Sequence, residues 1–429
     1  MAILPPGFIS DCSGNFGIMT ALLMVPLAGA AGMAVDFAHA LSLRAQLYAA
    51  ADAAAVGSIS EKSAAVAAAM KMSGDGTISL GKDDARSIFT SQMSGELTDV
   101  HVDLGIDVTK TANKVNSLVS FSATVPTTFM RILGRDTVTI SGTATAEYQT
   151  AAFMDFYILL DNTPSMGVGA TAADVETMEK NTKDTCAFAC HETENKNNYY
   201  KLAKKLGVSM RIDVVRQATK ELTQTAEITR VSDNQFRMGV YTFGTKAEDA
   251  KLTTISEPTA HLDEVRGYTD AVDLMTIPRQ GFNNDQQTSF DSALDQMNTI
   301  IPVPGDGSTS TTPQKVLFFV SDGVGDSEKP KGCTKKLTGN RCQEPIDTSF
   351  CKPLKDKGVR IAVLYTTYLP LPNNKWYKDW IRPFQNEIPT RMQECASPGL
   401  YFEVSMTQGI TEAMKELFLK VIRAPRITS

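Results

Sequence analysis

Two uninterrupted apolar runs, each ending in an aspartate, limit what this chain can fold into more than any other feature. The first, Phe156 to Leu160 in FYILLDNTPS, leads straight into Asp161; the second lies in KVLFFVSDG, Lys315 to Gly323, and delivers Asp322. A strand that is apolar at every position has no solvent face, so both belong inside a parallel sheet covered on its two sides. Polar groups then collect where such strands end, at the carboxyl edge. Thr163 and Ser165 follow Asp161 at two and four residues, and Thr288 stands at the start of a predicted helix whose apolar positions Phe290, Ala293, Leu294 and Met297 share one face. In a sheet of order 3-2-1-4-5-6 the first and fourth strands are neighbours at the switch point, which lets Asp161, Thr288 and Asp322 converge. Carboxylates and short hydroxyls are hard oxygen donors that suit Mg²⁺, bound at roughly 2.0 to 2.1 Å with water completing the shell. Ca²⁺ and Mn²⁺ are the alternatives. Taken alone, DNTPS also has the composition of an ordinary turn after a strand.

The rest of the C-terminal half alternates strand and helix patterns. Phe236 to Phe243, Val359 to Thr366 and Leu400 to Val404 read as strands, while Ile212 to Ala226, Trp376 to Cys395 and Ile410 to Ile422 read as helices. The fold class expected is therefore α/β, a doubly wound, mostly parallel sheet. Two insertions, Gly167 to Val208 and Lys329 to Lys352, leave from the edge that carries the oxygen donors. Trp376 and Trp380 are expected on one helical face, as core packing first and as an interfacial or partner contact second.

Upstream, the chain reads FGIMTALLMVPLAGAAGMAV from Phe16 to Val35, about twenty residues without a charge. That is the length a helix needs to cross a bilayer core. The first fourteen residues carry no Lys or Arg, so they lack the basic region of a cleaved signal peptide, and an uncleaved anchor is expected. The small pair Ala28 and Gly32 would let another helix approach. Helix formers continue to about Ala55 as a stalk. Between Leu97 and Tyr148 the pattern turns β-branched and alternating, the mark of a small antiparallel sheet, with Thr127 to Leu133 as a short crossing helix. Three segments result: 1–60 as anchor and stalk, 61–150 as a small α+β segment, and 151–429 as the α/β domain.

Cys12 stands alone before the apolar run, whereas Cys186, Cys190, Cys333, Cys342, Cys351 and Cys395 all follow it. An even set of six on one side suggests up to three disulfides and an oxidising compartment. The expected local pair is Cys186 with Cys190, the other four tying down the second insertion. The same two cysteines followed by His191 resemble a haem attachment sequence, one residue too long. A formal net charge of −6, with no cluster of Lys and Arg among aromatics, argues against nucleic acid as a partner. Phosphate loops, HExxH helices and GxSxG elbows are missing, and with four histidines the chain is not expected to be an enzyme.

DNTPS, then Thr288, then VSDG resembles the metal-ion-dependent adhesion site of von Willebrand factor type A domains, over roughly Phe153 to Ile422. By that resemblance Asp161, Thr163 and Ser165 are first-strand ligands, Thr288 is the middle hydroxyl, and Asp322 acts mostly through water. Two positions depart from the pattern: Thr163 where Ser is usual, and Gln287 where Gly is common. The N-terminal segment, GNFGIMTALLMVPLAGAAGMAVDFAHALSLRAQLYAAADAAA, resembles TadG-like proteins of bacterial Flp/Tad pilus assembly, which share this order of anchor, small β segment and type A domain. The resemblance implies an inner-membrane, single-pass protein with its large domain in the periplasm or at the cell surface. There the ion engages an acidic residue of a pilus component or surface receptor, while residues 16–35 hold the lipid bilayer. The competing expectations are a structural scaffold whose site is empty or holds a permanent ion, and a haem-bearing redox protein built on Cys186, Cys190 and His191.

Overall fold

The computed structural model describes residues 15–93, 100–247, 251–368, 370–404 and 409–423. They fall into two compact units, divided between Thr150 and Ala151. Cys12 lies outside the described residues.

In the first unit, helix α1 (Asn15–Ser58) runs through Pro26 without a break. At 1.5 Å per residue its forty-four residues span about 66 Å, of which the uncharged run takes about 30 Å. Among the described residues it is the one helix long and apolar enough to cross a membrane. Next come α2 (Ala64–Ala69), β1 (Gly76–Thr77), α3 (Ser79–Ser91), β2 (Val102–Thr111), β3 (Lys114–Pro126) and β4 (Thr137–Gln149). The four strands form one antiparallel sheet in the order β1-β2-β3-β4. Alternation gives this sheet an apolar face and a Ser/Thr-rich exposed face. Ala40, Leu43, Leu47, Ala50, Ala51 and Ala54, recurring every three or four residues along α1, are buried with Val119, Phe121, Val125 and Ile140 of the apolar face. The stretch expected as a stalk also covers the sheet. Its small residues allow close approach, and Tyr48 meets Phe121 edge-on at 5.2 Å.

The second unit opens with β5 (Met154–Leu160), followed by α4 (Ala172–Asn181), β6 (His191–Glu192), α5 (Tyr199–Leu206), α6 (Arg211–Thr229), β7 (Phe236–Thr242), β8 (Thr253–Thr259), α7 (Leu262–Tyr268), β9 (Thr276–Ile277) and α8 (Phe290–Ile300). The chain continues through β10 (Gln314–Ser321), β11 (Val324–Glu328), β12 (Arg341–Pro345), α9 (Lys352–Asp356), β13 (Arg360–Thr366), α10 (Ile388–Cys395), β14 (Tyr401–Val404) and α11 (Ile410–Arg423). Six strands make one sheet in the order β14-β13-β10-β5-β7-β8. Five are parallel, and β8 runs antiparallel at one edge. Alternate residues of the central strands serve two separate cores. Phe156, Ile158 and Leu160 are buried with residues of α6, α7 and α11, and Tyr157 and Leu159 with those of α8, α9 and α10. Both faces are therefore covered, which is why every residue of β5 is buried.

At the amino ends of the central strands, Asp155 sits directly across from Lys315 on β10 and from Arg237 on β7. Its carboxylate accepts from Lys315 Nζ at 2.6 Å and from Arg237 Nε and Nη2 at 2.6 Å each. The ladders of β5 with β10 and with β7 run on from it without a register shift.

The cysteines correct one expectation. Cys333 pairs with Cys342 and Cys351 with Cys395, while Cys186 and Cys190 are free thiols. Phe188 pairs with Val168, and the Ala189 N–H donates to Gly167 O at 2.9 Å. These contacts fix the residues between the two thiols against Gly167 and Val168, and no disulfide joins them. The helix expected from Trp376 to Cys395 is also composite: a wide π turn (Tyr377–Ile381), a 3₁₀ turn (Arg382–Glu387) and α10.

Candidate functional site

The site forms where β5 and β10, adjacent and parallel, run out of sheet. The Asp161 N–H still donates to Val320 O at 3.0 Å, and the chain then turns on its own side chain. Asp161 Oδ1 accepts the Thr163 N–H at 3.0 Å and the Thr163 hydroxyl at 2.7 Å, while Oδ2 accepts the Ser321 hydroxyl at 2.6 Å. Pro164 opens a 3₁₀ turn (Pro164–Gly167), which leaves Ser165 Oγ 3.5 Å from Thr163 Oγ1. On the neighbouring strand, Asp322 Oδ1 accepts the Val324 N–H at 3.2 Å, and the Ser165 hydroxyl favours the charged form of the same carboxyl. Gly323, at φ +73°, makes the turn that a residue with a Cβ would resist; a Cβ there would also come within 2.6 Å of Ile388.

Thr288 arrives from the loop before α8. Its N–H and C=O exchange bonds of 2.8 and 2.9 Å with Asp326 on β11, and Asp326 is held in turn by Arg341 at 2.7 and 2.5 Å. The unusual backbone of this loop falls on Asn283, Asn284 and Asp285, all left-handed, a conformation that Asn and Asp tolerate. Gln287 keeps negative φ and donates to Phe282 O at 2.6 Å, so no glycine is required at that position.

Asp161, Thr163 and Asp322 are wholly buried and Thr288 nearly so. Ser165 and Thr288 face a cavity of about 210 Å³, which Cys186, Phe188, Arg341 and Trp376 also line. Both insertions therefore wall this mouth. Trp376 lines it while packing against the core behind, with Arg341 5.4 Å from its ring centre and Phe188 edge-on at 6.2 Å.

Arg211, the first residue of α6, is a member of the site that motif reading missed. It is fully buried and donates from Nη1 to Asp322 Oδ2 at 3.2 Å, its guanidinium 5.2 Å from the Tyr368 ring centre. The signal was present in the sequence: Arg211 precedes Val215, Ala218 and Leu222 on the buried stripe of the helix, where a charge is out of place without a partner. Ser321, inside the VSDG motif, was likewise overlooked as the partner of Asp161.

Burial, reinforced by the charge of Asp322, pushes Asp161 up to about 7, although Ser321 and Thr163 pull the other way. Burial also raises Asp322, opposed by Arg211. With both carboxyls ionised, the one guanidinium leaves a negative charge uncompensated. Close by, Asn162 Oδ1, Arg211 Nε and Nη2, Thr242 Oγ1, Thr366 Oγ1 and the Tyr368 hydroxyl are buried without a hydrogen-bond partner, a concentration of unmet polar capacity at one edge of a sheet. Hard oxygen donors with surplus negative charge fit a divalent cation. Elsewhere, the grouping of Cys333, Cys342 and Glu344 offers no thiolate, because its sulfurs are joined to each other. His191 lies ring on ring with Tyr200 at 4.0 Å, its Nδ1 3.3 Å from Leu274 O, and Cys190 is buried; this placement lends the haem reading no support.

Residues 14–58 match the protein family described as "Putative Flp pilus-assembly TadE/G-like". No curated protein matches the chain. Among solved structures, the pilus adhesin SpaC from Lactobacillus rhamnosus GG aligns over 77% of this chain and 36% of its own length, at 11% identity and a TM-score of 0.38. The chain thus spans about a third of that adhesin. The vWF domain of the type V pili tip protein Mfa5 from Porphyromonas gingivalis aligns over 65% of this chain and 99% of its own length, at 9% identity and a TM-score of 0.37.

Proposed function

We propose that the chain is a membrane-anchored binding protein of Flp/Tad-type pilus assembly. Its second unit is a type A domain, doubly wound, that uses a divalent ion to engage a protein partner outside the cytoplasm. Asp161, Thr163, Ser165, Thr288 and Asp322 would hold the ion, and an acidic side chain of a pilus component or surface receptor would complete its shell. When bound, the ion supplies a fixed positive charge for a carboxylate to meet. The chain's own residues bury and orient the donors: Ser321 fixes Asp161, Arg211 fixes Asp322, and the two insertions restrict access through the cavity. The observation that carries this reading is the pair of fully buried carboxylates with hydroxyls on adjacent strand ends beneath that cavity. A buried carboxyl either takes up a proton or meets an opposite charge, and a divalent ion would supply that charge to both.

The reading favours binding over catalysis, because no histidine joins these hydroxyls to form a nucleophile and base. Titration of the full chain with Mn²⁺ or Mg²⁺, followed by calorimetry, should show a site that Asp161→Asn abolishes. Equal capture of pilus components with and without EDTA would sink the reading. One observation favours a scaffold with a structural site instead: Arg211 already neutralises Asp322 from within. In that case Asp161→Asn changes stability and pilus assembly together, with no ion dependence.

A further inference from the structure

Of the two arms joined by the β3–β4 turn, neither is needed for the ion site, yet the tip between them is built with unusual care. Residues Met130–Leu133 form a 3₁₀ turn ended by Gly134 in a left-handed conformation. The Asp36 carboxylate accepts the N–H groups of Thr128, Phe129 and Met130 at 3.0, 2.8 and 2.6 Å. Phe129 crosses α1 at Gly32, where an added Cβ would lie 2.5 Å from the Phe129 Cβ. The small residue expected to admit a second helix admits this tip instead. Both contacts pin the tip to residues 32–36 of α1, where the uncharged run stops.

Held there, the tip turns apolar side chains outward: Phe129 is 44% exposed, Ile132 82% and Leu133 58%. The helix beside it is exposed in the same way at Val35, Phe37 and Leu41. Arg131 and Arg135 flank the apolar residues, and Arg131 reaches Asp136 at 3.7 Å. A carboxylate at the end of a membrane helix is costly in lipid unless satisfied; three N–H donors and 7% exposure satisfy Asp36.

We propose that the 127–135 tip is a second membrane contact, seated in the headgroup and acyl boundary beside the exit of α1. Phe129, Ile132 and Leu133 would enter the lipid, with Arg131 and Arg135 at the phosphate layer. Apolar side chains with basic neighbours are the composition of interfacial segments. The occupant is lipid rather than protein, because the exposed apolar surface is continuous with that of the run that enters the bilayer. This inference rests on α1 crossing the membrane. A tip docked in lipid would fix the tilt and rotation of the first unit on the membrane, which one helix alone leaves free.

The test uses the full chain in nanodiscs of phosphatidylethanolamine and phosphatidylglycerol, with and without brominated acyl chains. Tryptophan is introduced singly as Ile132→Trp, Leu22→Trp or Leu118→Trp, and the signal of the native Trp376 and Trp380 is subtracted using the unsubstituted chain. Quenching and a blue shift at 132 and 22, with neither at 118, is the expected result. Quenching at 22 without quenching at 132 overturns the proposal and leaves the anchor intact, and a blue shift at 132 without quenching assigns the tip to protein and overturns it too. No quenching at 22 removes the anchor and the proposal together.

Discussion

Replacing Arg211 by Met removes the guanidinium that meets Asp322 while keeping an unbranched chain in its place. At 3.2 Å the pair attracts by about 5 kcal/mol with an effective dielectric near 20. The guanidinium's own desolvation offsets part of that, but Asp322 would stay buried without a partner. Breaking a buried pair from one side costs about 3 to 5 kcal/mol. For a unit the size of residues 151–429 this lowers the melting temperature by about 5 to 9 °C in EDTA. A divalent ion should act in the opposite sense. Without Arg211 the site carries two uncompensated carboxylates, so ion binding tightens, and at a hundred times its dissociation constant the ion restores about 2.7 kcal/mol. Thermal melts of wild type and Arg211→Met, in EDTA and in rising Mg²⁺, read both effects. The ion-induced rise should be larger in the variant, and Arg211→Met with Asp322→Asn should recover stability in EDTA while losing the rise. A variant that melts with the wild type in EDTA, or gains no more than the wild type from Mg²⁺, refutes the reasoning.

The raised carboxyl of Asp161 binds a proton more tightly folded than unfolded, so in EDTA stability falls as pH rises from about 4 to about 7. Urea midpoints across that range should show the fall, and Asp161→Asn should flatten it. Loop closure predicts that removing Cys351–Cys395, separation 44, costs about 4 kcal/mol, and removing Cys333–Cys342, separation 9, about 2.5 kcal/mol. Urea unfolding of the paired Ser variants would rank them. Asp36→Ala strands three N–H donors, and a cost of about 2 kcal/mol or more should appear as faster proteolysis at the 127–135 tip.

The N-terminal helix, the parallel strands and the small antiparallel sheet were legible because each rests on a local period: an uncharged run, an all-apolar run, or alternation. Asp161 and Asp322 were legible because each closes such a run. What escaped depends on partners distant in sequence. Arg211 joins Asp322 across 111 residues, and only its place on the apolar stripe of α6 hints at that. The free state of Cys186 and Cys190 was hidden because pairing was inferred from closeness in sequence, whereas the residues between them bond to Gly167 and Val168, far away in that reading. Trp376 and Trp380 were read at a regular helical period that the π turn interrupts.

Asp155, with Lys315 and Arg237 directly across from it, lies six residues before Asp161, about 20 Å down the strand. Because the rungs between are continuous, the charges at one end of the sheet act as the zero mark of a ruler whose far end sets Ser321 beside Asp161. A strand shifted by one residue would strand a carboxylate in the interior and also turn the donors to the wrong side. The distant trio thereby works against a shifted sheet, in which the two aspartates would not come into line.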